Sequence, residues 1–365
     1  MKKTLLATGL LAASVLSTPH VHAEGTLHIY NWSDYIAEDT IAEFEKVSGI
    51  EVTYDVYDSN EVLEAKMLAG RSGYDLIFPT ARPFADRGIR AGLYQPVDKA
   101  ALTNYGNLDK NINQSLTDID PGNQFLVPYM WGTTGIAYNV DKVKEVLGAD
   151  AKLDTWALLF DPETVKKLQS CGVALMDDPT EVFVAARAYK GLPTDDFSKK
   201  ALEEAADAVT AVRPYIRYFH SSQTINDLAN GDICVAHGYS GDMLQASDRA
   251  AEADNGVTIQ YVVPEEGAVV WTDVMVIPVD APNVAAANKF INFILQPEVI
   301  APITNYVAYA NANAAATPLV DEEVRNNPGV YPSAATMEKL LVLKTPSDKE
   351  MRTMNRLWTR TKTGN

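Results

Sequence analysis

One stretch near the amino terminus decides the fold: Leu27-His28-Ile29-Tyr30-Asn31-Trp32-Ser33-Asp34-Tyr35. Residues 27–30 favour a β-strand, and the residues after them carry aromatic rings, a hydroxyl and a carboxylate. An open α/β sheet binds its ligand beyond the carboxyl ends of its strands, where these side chains fall. Asp34 offers a carboxylate to a cation, and Trp32 and Tyr35 offer π faces to an organic ammonium. The alternative is an ordinary strand-to-helix turn, in which Asp34 caps the helix and the rings fill the core.

The segments that follow predict a parallel sheet. Hydrophobic spacing alternates between the strand period and the helix period. It predicts strands over 27–30, 51–57 and 74–79, and helices over 39–47 and 62–69. Asp58 and Glu61 match the capping-box pattern that begins a helix. This βαβαβ order predicts parallel strands with helices on both faces. No Gly-rich phosphate motif follows these strands, so we do not expect nucleotide binding.

Length and two crossing segments predict a two-lobed α/β fold. The chain has 365 residues, of which 47% are hydrophobic and 22% charged, which indicates a globular protein with more than one core. A glycine-interrupted extended run at 125–138 suits a crossing between lobes, and 257–263 suits the return. We therefore expect a first lobe from 26–131 and 260–300, and a second lobe from 132–259 and 301–365.

The second half of the chain continues the alternation of helices and strands. Helices are predicted near 141–147, 162–169, 198–212 and 284–295, strands near 173–176, 233–238 and 273–278, and helical pieces from residue 321 onward.

Residues 1–23 have the pattern of a secretory signal peptide. Lys2 and Lys3 precede an apolar run from 5 to 16, and Val21 and Ala23 fit the small-residue cleavage site. We expect an exported, periplasmic protein. Removing two lysines and no acids changes the formal charge from −17 to −19. Such acidity argues against nucleic acid as a partner and favours cationic ligands. We also expect a monomer.

The cysteines predict a structural bridge rather than a reactive site. Cys171 and Cys234 are the only two in the chain, and an exported protein with one pair usually joins it as a disulfide. Their separation excludes a CxxC redox motif.

Catalytic and metal-binding patterns are weak. The three histidines beyond the signal peptide, His28, His220 and His237, lack metal-ligand spacing, so we expect no metal and no cofactor. Gly238-Tyr239-Ser240-Gly241 approaches a nucleophile elbow, but its closing glycine comes one residue early. An exported hydrolase stays an alternative, although we expect a binding protein and not an enzyme.

Several longer stretches resemble the periplasmic polyamine-binding proteins, the solute receptors of spermidine and putrescine ABC importers. The resemblance covers nearly all of the chain beyond the signal peptide and is most specific in 30–36, 54–64, 127–132, 218–222, 227–236 and 309–313. It implies a type II periplasmic solute-binding fold that closes on its ligand about a hinge. It also implies an inner-membrane ABC permease as partner.

The resemblance further implies a ligand-binding set. Thr80 stands where the family usually has a serine, and Tyr239 where some relatives have tryptophan. The positions that match the family's ligand residues are Trp32, Ser33, Asp34, Tyr35, Thr80, Glu181, Tyr239, Asp242, Trp271, Asp273 and Tyr309. From the residues alone, Asp242 can equally be a helix cap, and Tyr239 and Tyr309 core residues.

Three positions bear on ligand choice. Trp271 resembles the spermidine-preferring members, whereas putrescine binders show phenylalanine, and Asp178 adds an acid where those binders have a small neutral residue. Arg82 departs from the family and opposes a cationic ligand unless it pairs with an acid or turns outward. We expect spermidine or putrescine, and the other candidates are agmatine, cadaverine, or a different solute on the same fold.

Overall fold

The computed structural model describes residues 25–364, so the predicted signal peptide at 1–23 lies outside the described residues. Within that range no helix is long and apolar enough to span a membrane. The strands are β1 (Gly25–Trp32), β2 (Ile50–Tyr57), β3 (Leu76–Ile77), β4 (Tyr94–Gln95), β5 (Val127–Asn139), β6 (Val173–Leu175), β7 (Tyr218–Phe219), β8 (Val235–Tyr239), β9 (Ile259–Val262), β10 (Ala268–Met275), β11 (Ile277–Pro278), β12 (Ala310–Asn311) and β13 (Leu340–Val342).

The α-helices alternate with these strands. They are α1 (Thr40–Ser48), α2 (Asn60–Ala69), α3 (Asp86–Arg90), α4 (Lys110–Ser115), α5 (Val140–Leu147), α6 (Ala157–Phe160), α7 (Pro162–Leu168), α8 (Pro179–Tyr189), α9 (Lys199–Val212), α10 (Gln223–Ala229), α11 (Ser240–Ala253), α12 (Val284–Ile294), α13 (Pro297–Val307), α14 (Glu322–Arg325), α15 (Ala334–Met337) and α16 (Asp348–Thr363).

The first lobe is the part built around β1, which lies between β2 and β3 in a three-stranded sheet. Both pairings are parallel, as the βαβαβ pattern predicts. Leu27 and Ile29 point into the core, and Phe44 of α1 meets Phe290 of α12 edge-on at 4.9 Å between ring centroids. Ile303 of α13 belongs to the same core.

The second lobe is the part built around β6 and β8, which pair in parallel. Its core is covered by α9 and α16, which pack against each other. Trp358 of α16 meets Phe183 of α8 at 5.7 Å and Phe219 at 5.2 Å between ring centroids. The carboxyl-terminal helix therefore belongs to the core of the second lobe.

Strand β5 runs through both lobes. Residues 127–133 pair with β10, whereas residues 134–139 pair with β8 and β9, all antiparallel. The strand is buried along almost its whole length. One continuous strand thus connects the two cores, as expected for the predicted crossing segment.

The predicted capping box at the start of α2 is wrong by one position. Ser59, not Asp58, is the N-cap residue, with extended backbone angles and a hydroxyl that accepts from the Val62 amide at 3.3 Å. A serine oxygen serves this role as well as a carboxylate does, so the helix needs neither acid. The side chains of Asp58 and Glu61 are therefore left for other contacts.

The predicted disulfide between Cys171 and Cys234 is confirmed. Cys171 follows α7 and Cys234 precedes β8, with 5.4 Å between their Cα atoms, so the bridge lies inside the second lobe. No described cysteine is free.

Removing this bridge should lower stability. The cysteines are 63 positions apart, and a loop of this length restricts the unfolded chain enough to contribute roughly 2–4 kcal/mol. We expect the Cys171→Ala/Cys234→Ala variant to lose about that much free energy of unfolding in urea titrations. An unchanged unfolding midpoint, or two free thiols in the unreduced unfolded protein, would contradict the expectation.

Candidate functional site

A cleft lies where the two lobes meet, and the space between its walls is about 400 Å³ when the open solvent at its mouth is included. Its walls come from the loops after β1 and β3, from β10, and from the segments around β8 and β12, so strand ends of both lobes meet there. All of the lining side chains are polar or aromatic: Trp32, Ser33, Tyr35, Asp58, Thr80, Ser221, Ser222, Tyr239, Asp242, Trp271, Asp273 and Tyr309.

Asp273 is the buried carboxyl group among the residues that line the cleft. A break in strand register between Thr272 and Val274 sets its position on β10, since such bulges re-aim a side chain. Its two oxygens accept from the hydroxyls of Tyr35, at 2.9 Å, and of Thr80, at 2.6 Å. Burial nevertheless raises the pKa of Asp273 to about 7. The site therefore holds a carboxyl that has no cationic partner among residues 25–364.

Asp242 is a second carboxyl of the cleft wall and is half-buried. It lies in the first turn of α11, where it is not the N-cap residue. The Tyr309 hydroxyl donates to its Oδ1 at 2.6 Å and accepts from its backbone N–H at 3.0 Å. Burial raises the pKa of Asp242 to about 7, although the bond from Tyr309 opposes that rise. The capping alternative for Asp242 is thus not what the structure has.

Aromatic rings wall the cleft in a continuous series of edge contacts. Tyr239 lies 6.1 Å from Trp32 and 5.5 Å from Trp271, and Tyr309 lies 5.3 Å from Trp271 and 5.2 Å from Tyr35, measured between centroids. The Trp32 indole is fixed by donating to the Phe78 carbonyl at 2.9 Å. Rigid π faces beside carboxylates suit an organic cation with methylene segments.

Two glycines let these rings approach the backbone. A Cβ atom on Gly241 would lie 2.4 Å from the Tyr309 ring, and one on Gly132 would lie 2.8 Å from the Trp271 ring. Neither distance is possible between real atoms, so the ring positions require glycine at both places.

Two of the predicted ligand residues do not line the cleft. Asp34 has a left-handed φ of 54° and forms an ion pair with Arg249 of α11 at 2.7 Å. Glu181 lies buried in the first turn of α8, where it lines a separate small cavity with Thr134 and His237. The other nine predicted positions are brought together in the lining. Asp34 neither caps α1, whose N-cap residue is Asp39, nor contributes to the cleft wall.

Arg82 points away from the cleft. Its guanidinium donates to the Ser115 carbonyl at 2.9 Å and pairs with Asp118. It lines a separate cavity that lies on another side of Trp271. Arg82 therefore turns outward and pairs with an acid, and in this arrangement its positive charge stays out of the acidic cleft.

Asp178 lies at the start of α8, where it caps the helix. It accepts from the N–H groups of Thr180 and Glu181 at 2.8 and 3.1 Å, and the Tyr239 hydroxyl donates to it at 3.4 Å. Burial raises the pKa of Asp178 to about 6, while these donors oppose the rise.

Three lining residues were not among the predicted set: Asp58, Ser221 and Ser222. All three lie within stretches that carried the family resemblance, 54–64 and 218–222, and Asp58 was assigned to a helix cap instead of the cleft. Asp58 faces His220 of the second lobe, with 3.9 Å between Oδ2 and Nε2. Together with the pair of Asp34 and Arg249, this contact joins the lobes at the cleft.

The cleft lacks the geometry of a hydrolase. His220 Nδ1 accepts from the backbone N–H groups of Ser222 and Gln223 at 3.1 and 3.0 Å, so it is not free to activate a serine hydroxyl. Burial lowers the pKa of His237 to about 3, which keeps its ring neutral. Among residues 25–364 no group of three acidic, histidine or cysteine side chains is arranged to hold a metal ion. The two lobes, the cleft where they meet and the side chains that line it are together the features of a solute receptor.

Comparisons with known proteins place the chain within that class. Residues 39–332 match the family model described as bacterial extracellular solute-binding protein. The putrescine-binding periplasmic protein SpuD of Pseudomonas aeruginosa is 51% identical over 99% of this chain and 98% of its own length. The corresponding protein PotF of Escherichia coli is 52% identical over 99% and 97%. A solved structure titled putative spermidine/putrescine ABC transporter from Listeria monocytogenes superposes with a TM-score of 0.83, at 33% identity over 93% of this chain and 99% of that one.

The chain belongs to the bacterial extracellular solute-binding protein family. This membership confirms the predicted resemblance, the type II two-lobed α/β fold and the interpretation as a binding protein instead of an enzyme.

Proposed function

We propose that the protein is a periplasmic receptor that captures a polyamine in the cleft between its lobes and delivers it to an ABC import permease. The observation that carries this proposal is a pair of carboxyls, the buried Asp273 and the half-buried Asp242, set among aromatic rings. A polyamine is a row of ammonium groups separated by methylenes, so it offers charges to the acids and flat apolar segments to the rings. The printed names of the relatives support the same ligand class.

The remaining parts of the proposal follow from export and charge. The predicted signal peptide at 1–23 would send the protein to the periplasm, where its relatives are named as residing. A strongly negative chain favours polycations and disfavours nucleic acid. We propose that the receptor works as a monomer.

The hydrophobic core in which each helix packs favours a different division of the chain into lobes. The predicted boundaries placed 301–365 in the second lobe. Residues of α13 pack in the core of the first lobe, whereas α16 packs in that of the second. We therefore propose that the second lobe receives the carboxyl-terminal helix but not α13.

Within the polyamines, we propose that spermidine is preferred. Trp271 offers a wide ring at the cleft wall and Asp178 adds an acid near Tyr239, whereas Arg82 is paired elsewhere. Each feature favours a ligand longer and more highly charged than putrescine.

Thermal shifts with putrescine, cadaverine, agmatine and spermidine at equal concentration test this ranking. A ligand at a hundred times its Kd stabilises the folded state by about 2.7 kcal/mol, so the tightest ligand gives the largest shift. We expect spermidine to rank first. The variant Arg82→Ser should change the spermidine affinity by less than about threefold, because Arg82 pairs with Asp118 outside the cleft lining and an acid-paired charge outside the cleft has little effect on a ligand within it. If spermidine ranks last and Arg82→Ser restores its binding, the specificity proposal is wrong.

A further inference from the structure

The outer face of α16 carries a row of basic side chains, although the whole chain has a formal charge of −17. Lys349, Arg352, Arg356 and Arg360 recur at helical spacing, so they share one face of the helix, and all four are exposed. We call this row the α16 stripe. At about 1.5 Å of rise per residue it is about 17 Å long. The opposite face of the helix is buried in the core of the second lobe.

The protein does not neutralise the α16 stripe itself. Among residues 25–364, none of its four members forms an ion pair or a side-chain hydrogen bond. Lys362 of the same helix differs, because it pairs with Asp177 at 2.6 Å. The two acids of α16, Asp348 and Glu350, lie in its first turn, where Glu350 forms a capping box with Ser347.

The α16 stripe also does little to stabilise the helix. Arg356 lies four positions from both Arg352 and Arg360, and like charges at that spacing repel each other. Lys349 lies in the first turn, where the helix dipole disfavours a cation, whereas Arg360 lies in the last turn, where it is favoured. A chain with 48 acidic residues thus leaves a row of cations unpaired on its surface. An acidic partner outside the chain would neutralise them.

Helix α16 extends from the boundary between the lobes toward the cleft. Just before the helix, the Thr345 hydroxyl donates to Asp86 of α3, in the first lobe, at 2.5 Å. Near the other end, the Trp358 indole donates to Asp177 at 2.8 Å. The residue after Asp177 is the N-cap of α8, and its carboxyl accepts from the cleft residue Tyr239. A partner that lies along α16 would therefore be close to the bound ligand.

We propose that the α16 stripe is a docking surface for an acidic periplasmic segment of the permease that receives the ligand. This inference rests on the proposed function, because it assigns a surface to the delivery step. An arginine guanidinium holds its N–H groups in one plane, where two of them match the two oxygens of a carboxylate. Three arginines in one row suit a segment that carries several aspartates or glutamates.

A polypeptide fits the α16 stripe better than an anionic lipid surface does. A bilayer would meet the acidic parts of the receptor as well as the stripe, and the formal charge of −17 opposes that broad approach. A narrow acidic segment meets the cations alone. The same distribution of charge should turn α16 toward the permease before contact, because opposite charges steer association and accelerate it.

Uptake by spheroplasts tests the inference. They are prepared from the bacterium that makes the protein, after deletion of its gene, and purified receptor is added back with radiolabelled putrescine or spermidine. We expect Arg352→Gln/Arg356→Gln/Arg360→Gln to raise the receptor concentration for half-maximal uptake by on the order of tenfold, because several exposed ion pairs are lost together. Added salt should narrow the difference, since it screens surface charges. Calorimetry should give a polyamine Kd within about twofold of the wild-type value, because the stripe does not line the cleft.

Lys46→Gln/Arg71→Gln/Lys110→Gln is the matched control, because it removes the same number of positive charges from exposed positions of the first lobe. Glutamine has nearly the helix propensity of arginine, so α16 should stay folded in the test variant. Equal shifts in the two variants would show that total charge, and not α16, controls uptake, and the inference would be wrong. It is also wrong if the wild-type protein, but not the test variant, sediments with vesicles of equal parts phosphatidylglycerol and phosphatidylcholine, since the partner is then a lipid.

Three further results separate this inference from the proposed function. If the test variant supports uptake at wild-type concentrations, the inference fails and the proposed function stands. If the wild-type protein binds both amines but supports no uptake, the inference and the delivery step fail together, and polyamine capture stands. If the wild-type protein binds neither amine in calorimetry, the proposed function and the inference both fail.

Discussion

Replacing Asp273 with Asn is expected to weaken polyamine binding by roughly a hundredfold to several thousandfold. An ammonium drawn into the cleft would lose its water and meet no counter-charge, and an unpaired buried charge costs about 3–5 kcal/mol. The Tyr35 and Thr80 hydroxyls that donate to Asp273 can also accept, so asparagine can keep both contacts. We therefore expect the folded state to tolerate the change, and calorimetry to show the loss in affinity alone.

Tyr35→Phe is the comparison that isolates the charge. It removes one hydrogen bond to Asp273 but leaves the carboxyl in place. A single hydrogen bond contributes about 0.5–1.5 kcal/mol, so we expect a loss of about threefold to tenfold. Equal losses in the two variants would mean that Asp273 does not meet the ligand.

The second large loss of affinity is expected from Gly241→Ala, which adds only one methyl group. The added methyl group would lie 2.4–2.6 Å from three atoms of the Tyr309 ring, so the ring must move. Its hydroxyl would then leave Asp242, to which it donates at 2.6 Å. A hydrogen bond to a charged group contributes about 1.5–3 kcal/mol, and we expect affinity to fall by on the order of tenfold to a hundredfold.

Two controls separate this displacement from a general effect of alanine. Gly106→Ala should change nothing, because no atom lies within 4 Å of the added group. In a Tyr309→Ala background, Gly241→Ala should cause no further loss, since nothing remains for the methyl to meet. Alanine also has a higher helix propensity than glycine, so a weaker helix α11 would not account for a loss of affinity in Gly241→Ala. Additive losses in the double variant would show that Gly241 acts by some other route.

Local sequence patterns predicted the elements that build the site. The alternation over residues 27–79 was enough for the parallel first sheet, because the strand and helix periods change cleanly there. The long run before Tyr138 was recognisable as a crossing because its glycines interrupt an otherwise buried strand. Nine of the eleven ligand positions implied by the resemblance lie together in the lining, although their contact with a ligand stays a prediction.

What the sequence could not predict depends on pairings across the fold. Asp34 pairs with Arg249, which is 215 positions away, and no local pattern identifies that partner. The outward turn of Arg82 depends on Asp118 in the same way. At the start of α2, Asp58 and Ser59 are both residue types that commonly cap helices. Only the backbone angles at Ser59 identify it as the N-cap residue.

The single disulfide also makes the protein suitable for optical labelling. Both of its cysteines are oxidised, so one introduced cysteine would be the sole reactive thiol on the folded chain. Gln223 is exposed and follows the cleft residue Ser222 directly. A fluorophore attached at Gln223→Cys would sit at the rim of the cleft, where solute capture changes the dye's surroundings, and its emission would report occupancy in real time.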